Sequence, residues 1–306
     1  MPLKSAITQR IPSLQAPDIA LWGLLLVLYG PLLVHWYDGW LNKSISLEHE
    51  YFSHGVIGLP FAAYLLWQRG DRWQQLPSLS LRSSLLGGLL LSLGLALYLS
   101  GVPDAINLSL PVVLTGLCLW FKGSAGLCLM GFPLLLVWLA TPTQIPYLIA
   151  PYTLPLQRFI AGVAGFILFQ AGLDVQVEQI YLFVNDRIVE VAPHCAGLKM
   201  LFTSLYVGLM LLIWTGAWQS RTKVITFLSG IVLLSVSANI LRNTFLTLFH
   251  GTGNTGAFDW LHESWGGDLY SAGLLGSLVL LLNAIDRWLP DESHPSPPSP
   301  SQEQEC

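Results

Sequence analysis

Three residues in the second half of the chain could together form a nucleophilic site: Cys195, Arg242 and His262. Cys195 lies just after an Ala-Pro pair and before an apolar run, where the positive end of a helix dipole lowers the pKa of a thiol. A cationic neighbour such as Arg242 would lower that pKa further and favour the thiolate. His262 could then act as general base and later donate a proton to a leaving amine. The pattern indicates acyl transfer through a cysteine.

Each of these residues also has a purely structural explanation. Arg242 follows the apolar run VITFLSGIVLLSVSANIL. It could be an anchor that reaches the lipid headgroups, although an arginine at membrane depth is costly unless it faces a partner or a wet cavity. Cys195 could be a buried thiol, and His262 a solvated histidine in the external loop NTGAFDWLHESWGGD. His194 is a second candidate for the base, but adjacent residues at a helix start point in different directions.

A second polar cluster, EHEYFSH, precedes an early apolar run. We expect its residues, among them Glu50 and His54, to lie at the external end of the following helix and to line a substrate entrance. The alternative is a carboxylate–histidine metal site, because these side chains ligate transition metals. Only this cluster offers such ligands, and the four cysteines show no C-x-x-C pair or zinc-finger spacing. We therefore predict neither a metal site nor a cofactor.

Composition places these residues in a membrane protein. Hydrophobic residues make up 53% of the 306 residues and charged residues only 10%, whereas soluble domains carry about 25% charged residues. The net charge of −4 and the absence of a basic block argue against nucleic acid as a partner. Apolar runs recur without a long soluble insert. We predict one integral membrane domain over residues 1–289 and a disordered polar tail over residues 290–306.

A helix that crosses the bilayer needs about 20 mostly apolar residues, and eight stretches are candidates. They are residues 19–38, 54–68, 84–101, 105–121, 125–140, 196–217, 224–246 and 268–288. Most of the lysines and arginines fall before the first span, at the end of the last span, and in every second connection, and the positive-inside rule assigns these positions to the cytoplasm. Both termini are therefore predicted to be cytoplasmic, and the Cys195 region is predicted to be external.

The remaining apolar stretch, residues 145–172, is interrupted by three prolines. To keep this sidedness it must cross the membrane an even number of times or not at all. We favour an amphipathic helix over about residues 154–171 on the outer surface, and a re-entrant pair is the alternative. Alternating apolar residues from Val175 to Phe183, with a turn at Asn185, then predict a small external β-hairpin. The predicted fold is an all-α polytopic membrane protein with about eight transmembrane helices, an interfacial helix and this hairpin.

Four short segments, in this order along the chain, resemble the exosortase/archaeosortase family of polytopic membrane enzymes. YFSHGVIGLPFAAYLLWQR resembles the family's Tyr/Phe-Ser-His-Gly segment, and VEVAPHCAGLKML its Cys-Ser-Gly-Leu-Arg segment. SANILRNTFL resembles its Asn-x-x-Arg segment, and WLHESWG its final histidine, which favours the bacterial exosortases. Ala196 and Lys199 stand where the family usually has serine and arginine, which indicates a divergent subfamily.

The resemblance implies a cysteine peptidase/transpeptidase of the plasma membrane with Cys195 as the nucleophile. Arg242 would be its charged partner, neutralising either the thiolate or the oxyanion, and His262 its base or acid. The implied substrates are exported proteins with a C-terminal sorting signal, which comprises a Pro-Glu-Pro-like motif, a membrane span and a basic cluster.

Several further residues are candidates for accessory or substrate-entrance roles: His54, Glu50, His194 and Asn239. The backbone N–H groups of Ala196 and Gly197 are candidate oxyanion donors at the helix start.

Two functions of other classes remain open. The first is a transporter or channel in which Arg242 and the external His/Glu cluster bind an anionic solute, although no inverted repeat is apparent. The second is a non-catalytic envelope assembly factor that holds partner helices through small residues such as Gly87-Gly88 and Ala161–Gly165.

Overall fold

The computed structural model describes residues 16–41, 51–77, 81–185, 187–192, 197–262 and 264–289, with side chains from residue 20 onward. The chain forms two compact units, Met1–Leu148 and Ile149–Cys306. Each unit has its own packed helices, and each is described separately below. The single domain over residues 1–289 stays a prediction.

The described helices of the first unit are α1 (Ala16–Leu41), α2 (Gly55–Gln68), α3 (Gly70–Gln75), α4 (Leu81–Leu99), α5 (Pro103–Ala140) and α6 (Ile145–Ile149). Helix α5 consists of two arms that meet at Gly123, whose φ of 61° lies in the region that only glycine adopts readily. The predicted spans 105–121 and 125–140 are these two arms.

Close helix contacts in the first unit depend on small residues. A Cβ atom on Gly87 of α4 would lie 2.6 Å from the backbone nitrogen of Trp120, and one on Gly116 of α5 would lie 3.1 Å from the backbone nitrogen of Leu91. The backbones of α4 and the first arm of α5 therefore approach more closely than larger side chains would permit. Gly87, considered above for packing against partner helices, packs within the chain.

The second unit contains a short 3₁₀ helix (Ala150–Thr153), α7 (Leu154–Gln170), strands β1 (Val175–Glu178), β2 (Tyr181–Val184) and β3 (Arg187–Glu190), and then α8 (Leu198–Thr215), a 3₁₀ turn (Ala217–Gln219), α9 (Arg221–Gly251), α10 (Thr255–His262) and α11 (Trp265–Trp288). The apolar core of α8, α9 and α11 includes Leu212, Phe227, Ile231 and Leu278, which are fully buried.

The segment predicted to form a hairpin forms a three-stranded antiparallel sheet with the order β1-β2-β3. The β2–β3 turn lies where the sequence places it, with Val184 paired to Arg187. A second turn at Gln179, where φ is 58°, divides the first predicted strand into β1 and β2. The alternation of apolar residues continues across this turn, which is why the sequence pattern does not reveal it.

The fold class predicted from the sequence is confirmed: the protein is mostly helical with a small antiparallel sheet. Among the described residues, seven helical segments are long and apolar enough to cross a membrane. The sequence predicts eight spans. Helix α2 is too short, with 14 residues, and the two predicted spans within α5 are counted as one segment, whereas residues 145–170 are added because they qualify by length and composition. The surface or re-entrant placement of residues 145–170 stays a prediction.

The sheet is fixed to α7 and to the end of α9. Leu182 and Val184 are fully buried. Val184 packs on Gly251 of α9, where a Cβ atom would lie only 2.5 Å from its side chain. On the α7 side, the amide nitrogen of Gln157 donates to the carbonyl of Val191 at 2.9 Å. These contacts determine the position of the chain just after β3, four residues before Cys195.

Candidate active site

The predicted site residues are distributed over both units. Cys195, His194 and Glu50 lie outside the described residues. His54 belongs to the first unit, whereas Asn239, Arg242 and His262 belong to the second. Ala196, one of the two candidate oxyanion donors, also lies outside the described part of the chain.

Arg242 lies well inside α9 rather than in its last turn. The sequence predicts a span that ends at residue 246, but the helix continues to Gly251. Arg242 is therefore nine residues, or about 14 Å along the axis, before the helix end. The predicted end of the span at residue 246 is wrong, because the helix continues for five more residues and packs on the sheet at Gly251. An anchor reaching out from the last turn is thereby disfavoured.

The guanidinium of Arg242 points towards α10 and α11. Its Nη2 donates to the carbonyl of Leu261 at 3.5 Å. A Cβ atom on Gly267 would lie 2.9 Å from the same carbonyl and 3.7 Å from Nη2. The Nε atom is buried and has no hydrogen-bond partner among the described residues. Arg242 thus keeps donor capacity that other acceptors can use, since a guanidinium carries five N–H donors.

His262 is the last residue of α10 rather than part of an open loop. Glycine and polar residues in NTGAFDWLHESWGGD favour a loop locally, but Leu261 is buried against the protein and the segment is helical. The imidazole stacks on Phe258, with ring centroids 5.1 Å apart and planes at 10°. This stacking fixes the plane of the ring. His262 directly follows Leu261, whose backbone carbonyl accepts the hydrogen bond from Arg242.

Gly197 brings the segment after Cys195 to α9. Gly197 has φ 80° and is the N-cap of α8, which begins two residues later than the sequence predicts. A Cβ atom here would lie 2.6 Å from Cγ of Asn239. Asn239 is 1% exposed, and it precedes Arg242 by three residues, so the two share a face of α9. Gly197 therefore lies against the face of α9 that carries the Asn-x-x-Arg segment.

The start of α8 also supplies hydrogen-bond donors. The first intrahelical bond runs from the N–H of Leu201 to the carbonyl of Gly197 at 2.8 Å. The N–H groups of the first four positions of a helix, here Gly197 through Met200, have no partner within the helix. Gly197 therefore remains a candidate oxyanion donor, now as a left-handed cap rather than as a residue of the first turn.

Sequence reasoning missed Tyr270. Its hydroxyl donates to the carbonyl of Ala238 at 2.6 Å and links α11 to α9. Tyr270 also lies close enough to Arg242 for the two to interact electrostatically. In the sequence, Tyr270 stands three residues after Gly267, so the two residues share a face of α11. Only the structure shows that Gly267 lies beside Arg242.

His54 is buried, with 5% of its surface exposed, and its Nε2 lies 3.0 Å from the carbonyl of Leu139. In this structure it joins the start of α2 to the end of α5. The role of His54 at a substrate entrance stays a prediction. Among the described residues, no group of three or more His, Cys, Asp or Glu side chains could hold a metal ion.

Replacement of Gly197 by alanine tests the close approach to Asn239. Any alanine at positive φ costs about 1–2 kcal/mol, and Gly197→Ala adds a clash with a buried side chain. Gly172 is a matched control, since its φ is 87° and a Cβ atom there would meet nothing within 4 Å. We expect Gly197→Ala to lower the thermal unfolding midpoint clearly more than Gly172→Ala. Equal midpoints would show that the contact with Asn239 adds no constraint.

The apolar helices and the buried polar corner at α9 define a multi-pass membrane protein with a candidate enzymatic site. The chain belongs to the transmembrane exosortase (EpsH) family, whose model matches residues 36–279. The match includes every candidate site residue from His54 to His262. No curated protein and no solved structure matches the chain.

Family membership implies a role in processing PEP-CTERM sorting signals, and hence protein substrates that carry such signals. Members of the family are generally membrane cysteine peptidases.

Proposed function

We propose that this protein cleaves C-terminal sorting signals of exported proteins through a thioester on Cys195, with Arg242 and His262 as its partners. The observation that carries the proposal is the contact of Gly197 with Asn239, one helical turn from Arg242. The guanidinium of Arg242 in turn contacts the carbonyl of Leu261, the residue before His262. Residues distant in sequence thus converge on one corner of the second unit.

Covalent connectivity limits the distance of the nucleophile from this corner. Cys195 precedes Gly197 by two residues, and two residues of extended chain span at most about 7 Å. Gly197 itself packs on Asn239. The Cα atom of Cys195 is therefore confined to within about 7 Å of that of Gly197, and this supports the proposal of a common site for Cys195, Arg242 and His262.

The proposed reaction begins with attack of the Cys195 thiolate on the carbonyl carbon of the scissile amide. A C–S bond forms, and the carbonyl electron pair moves to oxygen. The pair returns as the C–N bond breaks, and His262 in its protonated form gives a proton to the leaving amine. Water or a substrate amine then attacks the thioester, transfers a proton to His262 and restores the thiolate.

Arg242 is suited to stabilise negative charge in this sequence. Its guanidinium is half-buried, is always charged, and has a buried Nε that finds no acceptor among the described residues. A preorganised donor in a poorly solvated site stabilises an oxyanion more than the same donor does in water. The N–H groups at the start of α8 can add to this effect.

The substrate is proposed to reach the site within the membrane. Its own C-terminal span would diffuse in the bilayer and present the Pro-Glu-Pro-like motif at the external face beside Cys195. The sidedness follows from the positive-inside rule, which assigns both termini to the cytoplasm.

The test is cleavage of co-expressed reporters that carry a C-terminal sorting signal. One set keeps the membrane span and basic cluster and varies the Pro-Glu-Pro-like motif, since the divergent Ala196 and Lys199 leave the preferred motif open. The control reporter keeps the span and basic cluster but has alanines in place of the motif. We expect cleavage of at least one motif-bearing reporter and none of the control. Absence of cleavage throughout would reject the proposal and favour anion transport.

A further inference from the structure

A cleft of about 510 Å³ lies in the first unit, whereas the residues proposed for catalysis belong to the second. It is lined by Arg69, Arg72, Ala125, Cys128 and Leu129. The arginines come from the end of α2 and from α3, and the other three residues come from the second arm of α5. One wall of the cleft is therefore cationic and the other is largely apolar. Its volume falls within the range of about 300–1,000 Å³ that is usual for small-molecule sites.

Arg69 is positioned by a proline in the facing helix. Pro133 has no N–H group, so the carbonyl of Leu129, four residues earlier, lacks its normal helical donor. Nη1 of Arg69 donates to this carbonyl. The bond fixes the guanidinium at the wall of the cleft and uses only one of its five N–H donors.

The two arginines form a pair of like charges. Desolvation lowers the pKa of Arg69, and the charge of Arg72 lowers it further. In the described part of the chain neither arginine forms an ion pair, although the exposed Asp71 lies between them in sequence. An anion between the two guanidiniums would reduce their repulsion.

Apolar side chains are exposed on the helices that line the cleft. Ala125 and Cys128 are exposed. Further along the same arm, Leu135 and Trp138 are 41% and 39% exposed, and Trp67 on α2 is 57% exposed. A free phosphate would use only the arginines, whereas a lipid would place its phosphate on them and its chains on this surface.

We propose that this cleft binds an anionic phospholipid, whose phosphate accepts hydrogen bonds from Arg69 and Arg72 and whose acyl chains contact Ala125, Cys128 and Leu129. The site is independent of the proposed peptidase chemistry. Arginine suits this role because its planar fork matches phosphate oxygens.

The exposed thiol of Cys128 provides a direct measurement. The purified full-length protein in a neutral detergent is treated with N-ethylmaleimide, and the alkylation rate of Cys128 is followed by peptide mass spectrometry. The added probes are phosphatidylglycerol, phosphatidylcholine with the same acyl chains, and inorganic phosphate. We expect phosphatidylglycerol alone to slow alkylation, by about fivefold or more once its concentration exceeds the Kd severalfold.

Three variants separate the cleft from general surface charge. Arg72→Gln should abolish the protection by phosphatidylglycerol, and Ala125→Leu, which fills the cleft without changing charge, should weaken it. Arg82→Gln is the matched control, because Arg82 is exposed at the start of α4 and does not line the cleft. Equal loss of protection in Arg82→Gln and Arg72→Gln would overturn the proposal. Equal protection by phosphatidylcholine, or by inorganic phosphate, would overturn it as well.

Discussion

We expect replacement of Cys195 by alanine to abolish cleavage of the sorting-signal reporter while the protein remains inserted at the wild-type level. This result is expected because no other group in the proposed site can form the thioester. Loss of a nucleophile that acts together with a base lowers turnover by about four orders of magnitude or more. Cys195→Ser should also be inactive, since a serine hydroxyl is not ionised near neutral pH as a thiolate is. Cleavage is measured by the change in reporter mass in isolated membranes.

A chemical trap provides the matching evidence for the intermediate. In wild type, quenching with acid should capture an adduct between the enzyme and the N-terminal reporter fragment, and hydroxylamine should release it as a thioester does. Cys195→Ala should yield no adduct. Cys128→Ala is the control, because Cys128 is an exposed thiol outside the proposed site, and it should retain both cleavage and adduct. Normal processing by Cys195→Ala would refute the mechanism.

Replacement of Arg242 by glutamine is expected to lower kcat by about 10²–10³-fold, the usual effect of losing a preorganised donor to a developing negative charge. Arg242→Lys keeps the charge but loses the planar fork, whose separate N–H groups can bond the carbonyl of Leu261 and an oxyanion in fixed directions. We expect it to retain only part of the activity. Arg221→Gln is the matched control, since Arg221 is an exposed residue at the first position of the same helix.

The pH dependence of Cys195 alkylation separates the two roles proposed for Arg242. If the guanidinium stabilises the thiolate, Arg242→Gln should raise the thiol pKa and shift the alkylation profile to higher pH. If it stabilises the oxyanion, the profile should be unchanged while turnover falls. If Arg242→Gln turned over the reporter at the wild-type rate, Arg242 would be a membrane anchor rather than a catalytic residue.

Most of the helical framework can be read from the sequence because hydropathy is a local property. The runs around α1, α4, α8, α9 and α11 each contain enough apolar residues to cross a membrane. The fold class and the β2–β3 turn were predicted on the same basis and are confirmed. The length of α9 was not predicted, because Asn243, Thr244, Thr247 and His250 interrupt its apolar run. The helix nevertheless continues to Gly251, whose carbonyl accepts a hydrogen bond from Asn185 at 3.2 Å.

For the candidate site too, some features follow from the sequence alone and others only from the tertiary structure. The sequence by itself determined the membrane class, the family resemblance and the residue types in the Cys-x-Gly and Asn-x-x-Arg segments, since these depend only on composition and short spacing. The tertiary structure alone decided that Gly197 packs on Asn239 and that Arg242 donates to the carbonyl of Leu261. The first pair is separated by 42 residues, and a contact over that distance depends on how whole helices pack, which local patterns do not specify.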